Sequence, residues 1–141
     1  MNWKRIVAGG LAAGALIDVA EGALSGALFG GQFQSELAAR GLNLNVGPAG
    51  AVFFTLWGFL LGFVTVWLYA AVRPRLGPGP RTAVLVAVAV WIVSGVLPHL
   101  RDATLGILSL NLSLKFILLQ LCWQIAATLL GAFIYRESGG A

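Results

Sequence analysis

Apolar residues dominate this chain in four long runs, at residues 6–30, 51–72, 82–100 and 115–135, separated by short polar or proline-rich stretches. At about 1.5 Å of helical rise per residue, each run is long enough to cross the ~30 Å hydrocarbon core of a bilayer. The pattern predicts an all-α integral membrane protein, a single four-span domain over residues 1–141. Between the runs the periodicity changes. Leu42, Leu44 and Val46 alternate with polar positions, and so do Leu108, Leu110, Leu112 and Leu114. Period-two alternation suits half-buried extended chain, so a short extracytoplasmic β-ribbon capping the bundle is expected, unless the second stretch instead opens the fourth helix. Residues 32–40 place Phe33 and Leu37 on one side of an amphipathic turn or two.

Composition strengthens the membrane reading. Of the 141 residues, 59% are hydrophobic and 10% charged, and residues 41–72 contain no formal charge. An ordinary soluble domain carries about 25% charged residues. The net charge of +4 does not indicate nucleic acid, because the basic residues flank apolar runs. With a cytoplasmic N-terminus, Lys4, Arg5, Arg73, Arg75, Arg81 and Arg136 fall inside, against Arg40, Arg101 and Lys115 outside, so both termini are expected to be cytoplasmic. That charge bias, taken with the resemblance described below, leads to the expectation of the bacterial cytoplasmic membrane. The segment from Arg73 to Arg81 holds three prolines and three arginines, which should stop helix continuation and anchor a stiff hairpin at anionic headgroups.

An offset of 66 residues brings Glu36, Leu42, Leu44, Asn45, Trp57 and Tyr69 onto Asp102, Leu108, Leu110, Asn111, Trp123 and Tyr135. This spacing raises a duplication of two helical hairpins, 1–72 and 73–141, related by an axis along the membrane normal.

The first span carries the most informative polar pattern. Gly10, Gly14, Asp18, Gly22, Gly26 and Gly30 recur at every fourth residue, a ridge that lets another helix approach closely, and Gly58 and Gly62 repeat the spacing in the second span. These glycines are expected to pack helices within the bundle, in a homo-oligomer or in a larger membrane complex. Asp18 and Glu21 lie about 18 and 22 Å along the span, within the hydrocarbon region. Each costs about 2.5–3.5 kcal/mol there if unpaired. Two carboxylates at i and i+3 share a face, and in a low dielectric such a pair holds a proton or a small cation.

Gln120, Gln124 and Thr128 form a four-residue stripe in the last span, and by depth the two glutamines come level with Glu21 and Asp18. They are the predicted amide partners of the acids. Thr55, Ser94, His99 and Arg101 fall in the outer half and are expected to line an outer pocket.

Other chemistry finds little footing. One cysteine, Cys122, cannot form an internal disulfide, and one histidine, with Asp102 at i+3, is a poor metal site. Ser25 lies in a run that misses the first glycine of the nucleophile elbow. No catalytic residue, metal or cofactor is therefore predicted. Residues 56–81, with Trp57-Gly58, Gly62, Trp67-Leu68-Tyr69 and the proline-arginine hairpin, resemble a segment of an uncharacterised family of small bacterial inner-membrane proteins. In layout alone the chain is similar to the small multidrug resistance exporters. That likeness implies a dimer exchanging protons for cationic drugs through an acid in the first span, from which the longer outer connections and the second acid depart. The expectation is a proton- or cation-coupled carrier of a small polar or cationic solute, with an accessory subunit of a larger membrane complex as the alternative.

Overall fold

The computed structural model describes residues 2–42 and 46–135, Leu24 by its backbone alone. Its helices are α1 (Trp3–Ala20), α2 (Gly30–Ala38), α3 (Pro48–Leu76), α4 (Pro80–Trp91), α5 (Leu97–Thr104) and α6 (Leu110–Ile134). π-helical segments at Glu21–Phe29 and Ile92–Val96 join α1 to α2 and α4 to α5 without a break. Four continuous helical runs result, Trp3–Ala38, Pro48–Leu76, Pro80–Thr104 and Leu110–Ile134, each long and apolar enough to cross a membrane. Among the described residues the fold is entirely helical.

The local chemistry accounts for the ends. Asn2 caps α1 by accepting from the Arg5 amide at 3.2 Å, and Ser109 caps α6 by accepting from the Leu112 amide at 3.2 Å. This cap corrects the predicted ribbon: residues 110–114 are the first turns of α6, with Leu112 and Ser113 buried and Leu110 and Leu114 exposed. A serine that satisfies an orphan amide starts a helix, and the leucine alternation is overridden. Of the other stretch, positions 43–45 lie outside the described residues.

The hairpin also differs from expectation. α3 continues through Pro74 to Leu76, because so near the C-terminus the missing amide removes only a terminal bond. The chain turns instead at Gly77 and Gly79, whose φ values of 83° and 131° disfavour other residues. Thr82 Oγ1 donates to the Gly77 carbonyl at 2.7 Å, and the Gly79 amide donates to the Tyr69 hydroxyl at 3.1 Å.

α1 packs on α3 and α6, and α6 also meets α4 and α5. The core holds Ile6, Ala13, Ile17, Val66, Tyr69, Val86, Val90 and Ala127. A second apolar cluster of Leu37, Leu108, Leu112 and Phe116, with Phe33 against it, fastens α2 to the start of α6. Residues 2 and 135 meet at one end, where the Asn2 amide donates to the Tyr135 hydroxyl at 3.4 Å and the Tyr69 and Tyr135 rings pack edge to face.

Candidate functional site

Helix packing divides the glycine ridge in two. Gly10 and Gly14 are buried against α3: a Cβ added at Gly10 would stand 2.8 Å from the Phe63 Cα, and one at Gly14 would stand 2.6 Å from the Phe59 Cα. Gly62 returns the contact, since its added Cβ would lie 2.6 Å from the Gly10 carbonyl oxygen. Gly22, Gly26 and Gly30 meet no neighbour within 4 Å among the described residues. The π-helical segment that begins at Glu21 gives the reason. Its wider turn rotates every-fourth positions off the α1–α3 contact line, so the packed ridge ends at Asp18.

Asp18 sits where that contact closes. Its carboxylate lies against Gly58 so closely that the space of a residue-58 side chain is already taken. Its Oδ2 is buried without a hydrogen-bond partner among the described residues. Glu21, one turn on, is half-buried and accepts from Ser25 Oγ at 3.4 Å within the π-helical segment. The indole Nε1 of Trp123, on α6, approaches the Glu21 carboxylate without the geometry of a formed hydrogen bond.

The predicted amide partners take other positions. Gln124 is 1% exposed, and its Nε2 donates to Thr65 Oγ1 at 3.3 Å and to Thr128 Oγ1 at 3.5 Å. Both hydroxyls spend their own protons on carbonyls four residues back, Thr65 on Leu61 at 2.7 Å and Thr128 on Gln124 at 2.6 Å, which leaves each free to accept. Gln120 lies over Gly95 on the second π-helical segment, its Cδ 3.0 Å from where a Cβ would stand. No hydrogen bond links either glutamine to Asp18 or Glu21 among the described residues, because each amide meets a closer notch or hydroxyl first. The Oε1 atoms of both glutamines are buried and without a partner among the described residues.

The four residues expected to line an outer pocket do not converge. Thr55 is exposed and bonds to the Ala51 carbonyl, Ser94 bonds to the Val90 carbonyl, and Arg101 pairs with its neighbour Asp102 at 2.8 Å. Only His99 of the four faces inward, its ring stacked on Phe116 at 5.4 Å with Nδ1 buried and without a partner among the described residues.

Sequence reasoning missed Thr65, whose place opposite Gln124 depends on helix rotation, and a polar network at the end of the bundle away from residues 2 and 135. There Glu36 receives both the Ser109 amide and the Ser109 hydroxyl at 2.6 Å, Gln32 Nε2 at 3.3 Å and an ion pair from Arg40 at 3.8 Å. Lys115 Nζ donates to Gln32 at 3.2 Å, and Arg40 reaches the Gly106 carbonyl. The signal was present: Ser109 three residues before the buried Leu112 is a helix-cap pattern.

The arrangement places two acids and two under-satisfied amides in an apolar helical bundle, around π-helical segments that widen the first and third runs. Comparison of the chain with protein-family models, with curated proteins and with solved structures finds no match.

Proposed function

We propose that this chain is a multi-pass protein of the bacterial cytoplasmic membrane, with both termini cytoplasmic, that carries a small polar or cationic solute coupled to a proton or small cation bound at Asp18 and Glu21. The observation that supports this reading is the buried, unpartnered Oδ2 of Asp18 one helical turn from a second carboxylate. Acids inside an apolar bundle are costly to keep and mark ion or proton pathways. Gln120 and Gln124 hold buried acceptors without a partner among the described residues, and the two π-helical segments give the backbone places to change register. The charge on the described ends fits the orientation, with Lys4, Arg5, Arg73, Arg75 and Arg81 at the terminal end.

The test is solute-dependent proton movement in vesicles holding the folded protein, compared with the Asp18→Asn/Glu21→Gln double variant. Coupled uptake or efflux that disappears in the variant supports the carrier. Equal flux in both ends it.

A second reading rests on a separate observation. Gly22 and Gly26 are exposed, and a Cβ added at either would meet no neighbour within 4 Å among the described residues. Such a strip suits close approach by another helix, either of a second copy or of a larger membrane complex in which this chain is a non-catalytic subunit.

A further inference from the structure

The first helical run and α3 part company at Asp18, and the sequence continues their contact past that point on both sides. Up to Asp18 the two helices are antiparallel in a fixed register. Gly10 lies on Phe63 and Gly14 on Phe59, while Gly62 returns to Gly14 and Gly58 to Asp18. Each four-residue step along α1 is thus a four-residue step back along α3. Carried on, the first of these lines pairs Asp18 with Thr55, Gly22 with Ala51 and Gly26 with Gly47. The second pairs Gly26 with Gly50 and lays Phe54 over Gly22, as Phe59 and Phe63 lie over Gly14 and Gly10.

None of the pairs beyond Asp18 is closed. Gly22 and Gly26 are exposed, and a Cβ added at either would meet nothing within 4 Å among the described residues. Every residue from Ala51 to Trp57 is exposed as well, so this part of α3 packs no side against another described element. Helices in lipid are held together by close van der Waals contact between small residues. Here two facing small-residue lines in register forgo it.

The run is instead drawn to α6. Its π-helical segment, Glu21–Phe29, turns it away from α3, and beyond that elbow the Phe29 and Phe33 rings meet Phe116 at 5.6 and 6.0 Å. Rewinding the segment from i→i+5 to i→i+4 bonding brings Gly22 and Gly26 back onto the α3 line. The same rotation carries Phe29 and Phe33 around the helix and off Phe116. The two packings therefore exclude each other, and Asp18 sits at the fork.

We infer that Glu21–Phe29 is the elbow of a gate, open in the observed packing and shut when Gly22 and Gly26 close on Ala51 and Gly47. Shutting sets Thr55 beside Asp18 and covers the approach to that carboxylate from the end of the bundle away from residues 2 and 135. As a gate the elbow serves the carrier proposed above, since a coupled carrier must expose its site to one side at a time. As two alternative packings it does not depend on that role.

Disulfide trapping in the full-length protein tests the gate, in a Cys122→Ser background that removes the native thiol. Gly22→Cys/Ala51→Cys and Gly26→Cys/Gly47→Cys join positions that meet only in the shut state. In the observed packing no atom of another element comes within 4 Å of a Cβ added at Gly22, Gly26 or Gly47. A disulfide needs its Cβ atoms about 3.8 Å apart. Gly22→Cys/Phe53→Cys is the control, with its second thiol on the far side of α3. A shut state populated at about 0.1–10% is enough, because copper phenanthroline traps each closure as it occurs. The expected result is loss of both thiols at monomer mass in the two test pairs and retained thiols in the control. Solute flux in vesicles should be lost with the disulfide and return on reduction. Thiols retained in both folded test pairs, equal trapping in the control, flux that the disulfide leaves unchanged, or trapping only at dimer mass would each overturn the gate, the last by placing a second copy on the glycines. Trapping at monomer mass in a protein that moves no solute would support the two packings and end the carrier reading instead.

Discussion

The carboxylate of Asp18 rests on the bare Cα of Gly58, in the volume that a larger residue at position 58 would claim for its side chain. The relationship recurs on the other side of the bundle, where the amide of Gln120 rests on Gly95. In both cases a polar side chain is admitted between helices because the facing residue has no side chain. Packing and polarity are thus coupled: the same glycines that let helices close also make room for the groups that carry the proposed chemistry.

That coupling is measurable. Gly58→Ala should cost about 1–3 kcal/mol of stability, the usual consequence of overpacking. In an Asp18→Ala background the alanine meets an emptied notch, and the cost should largely vanish. Thermal unfolding of the four proteins of this double-mutant cycle in one detergent gives the interaction energy, expected within about 0.5–3 kcal/mol. Equal cost of Gly58→Ala in both backgrounds would show that the two residues do not share this space.

The four-run layout was legible because helices long and apolar enough to cross a membrane carry their signal in length and composition alone. The inward side of residues 32–40 was legible too, with Leu37 buried and Phe33 against Phe116, since helical periodicity sets a face. Rotation between helices was not. Level depths placed Gln124 beside Asp18, yet its amide turns to Thr65, and a span's periodicity says little when every side of it is apolar. Nor did the glycine spacing disclose the π-helical segment, because a regular fourth-residue count assumes the α-helical turn that Glu21–Phe29 abandons.

The Gln124 network predicts an asymmetry between single and double replacements. Thr65→Val keeps the shape but strands the Gln124 amide with only the longer bond to Thr128, and should cost about 1–3 kcal/mol. Adding Gln124→Leu removes the stranded group, so the double variant should be more stable than Thr65→Val alone. Denaturation midpoints of the three proteins decide it; a double variant that is the least stable would mean the amide finds another partner.

The divided ridge makes opposite predictions for its two halves. Gly62→Ala drives a Cβ toward the Gly10 carbonyl and the Gly14 backbone, which cannot swing aside, and should destabilise the fold by about 1–3 kcal/mol or more. Gly26→Ala meets nothing and should be neutral or stabilising by up to about 1 kcal/mol through helix propensity. Light scattering of Gly26→Leu in detergent then reads the outer half separately. A fall in oligomer mass with unchanged unfolding temperature would mean that the exposed strip is covered by another chain, and unchanged mass would count against that contact.

At the end of the bundle away from residues 2 and 135, Glu36 and Ser109 hold α2 to the start of α6, and the two residues should fail differently. Ser109→Ala loses the cap on Leu112 and the hydroxyl bond to Glu36 but keeps its backbone amide bond, so a loss of about 0.5–2 kcal/mol is expected. Glu36→Gln keeps the shape yet replaces one accepting oxygen with an NH₂ group. With its oxygen kept toward the Ser109 amide, the new NH₂ group faces the Gln32 Nε2 donor, and Arg40 loses its ion pair. The glutamine variant should therefore be destabilised despite being nearly isosteric. Hydrogen exchange should rise in the first turn of α6 and in α2 for both variants while the turn at Gly77 and Gly79 stays protected, because that turn is fastened by Tyr69 and Thr82 and shares no bond with Glu36. Exchange that rises equally at both ends would mean the bundle opens as one unit and that Glu36 supports the whole of it.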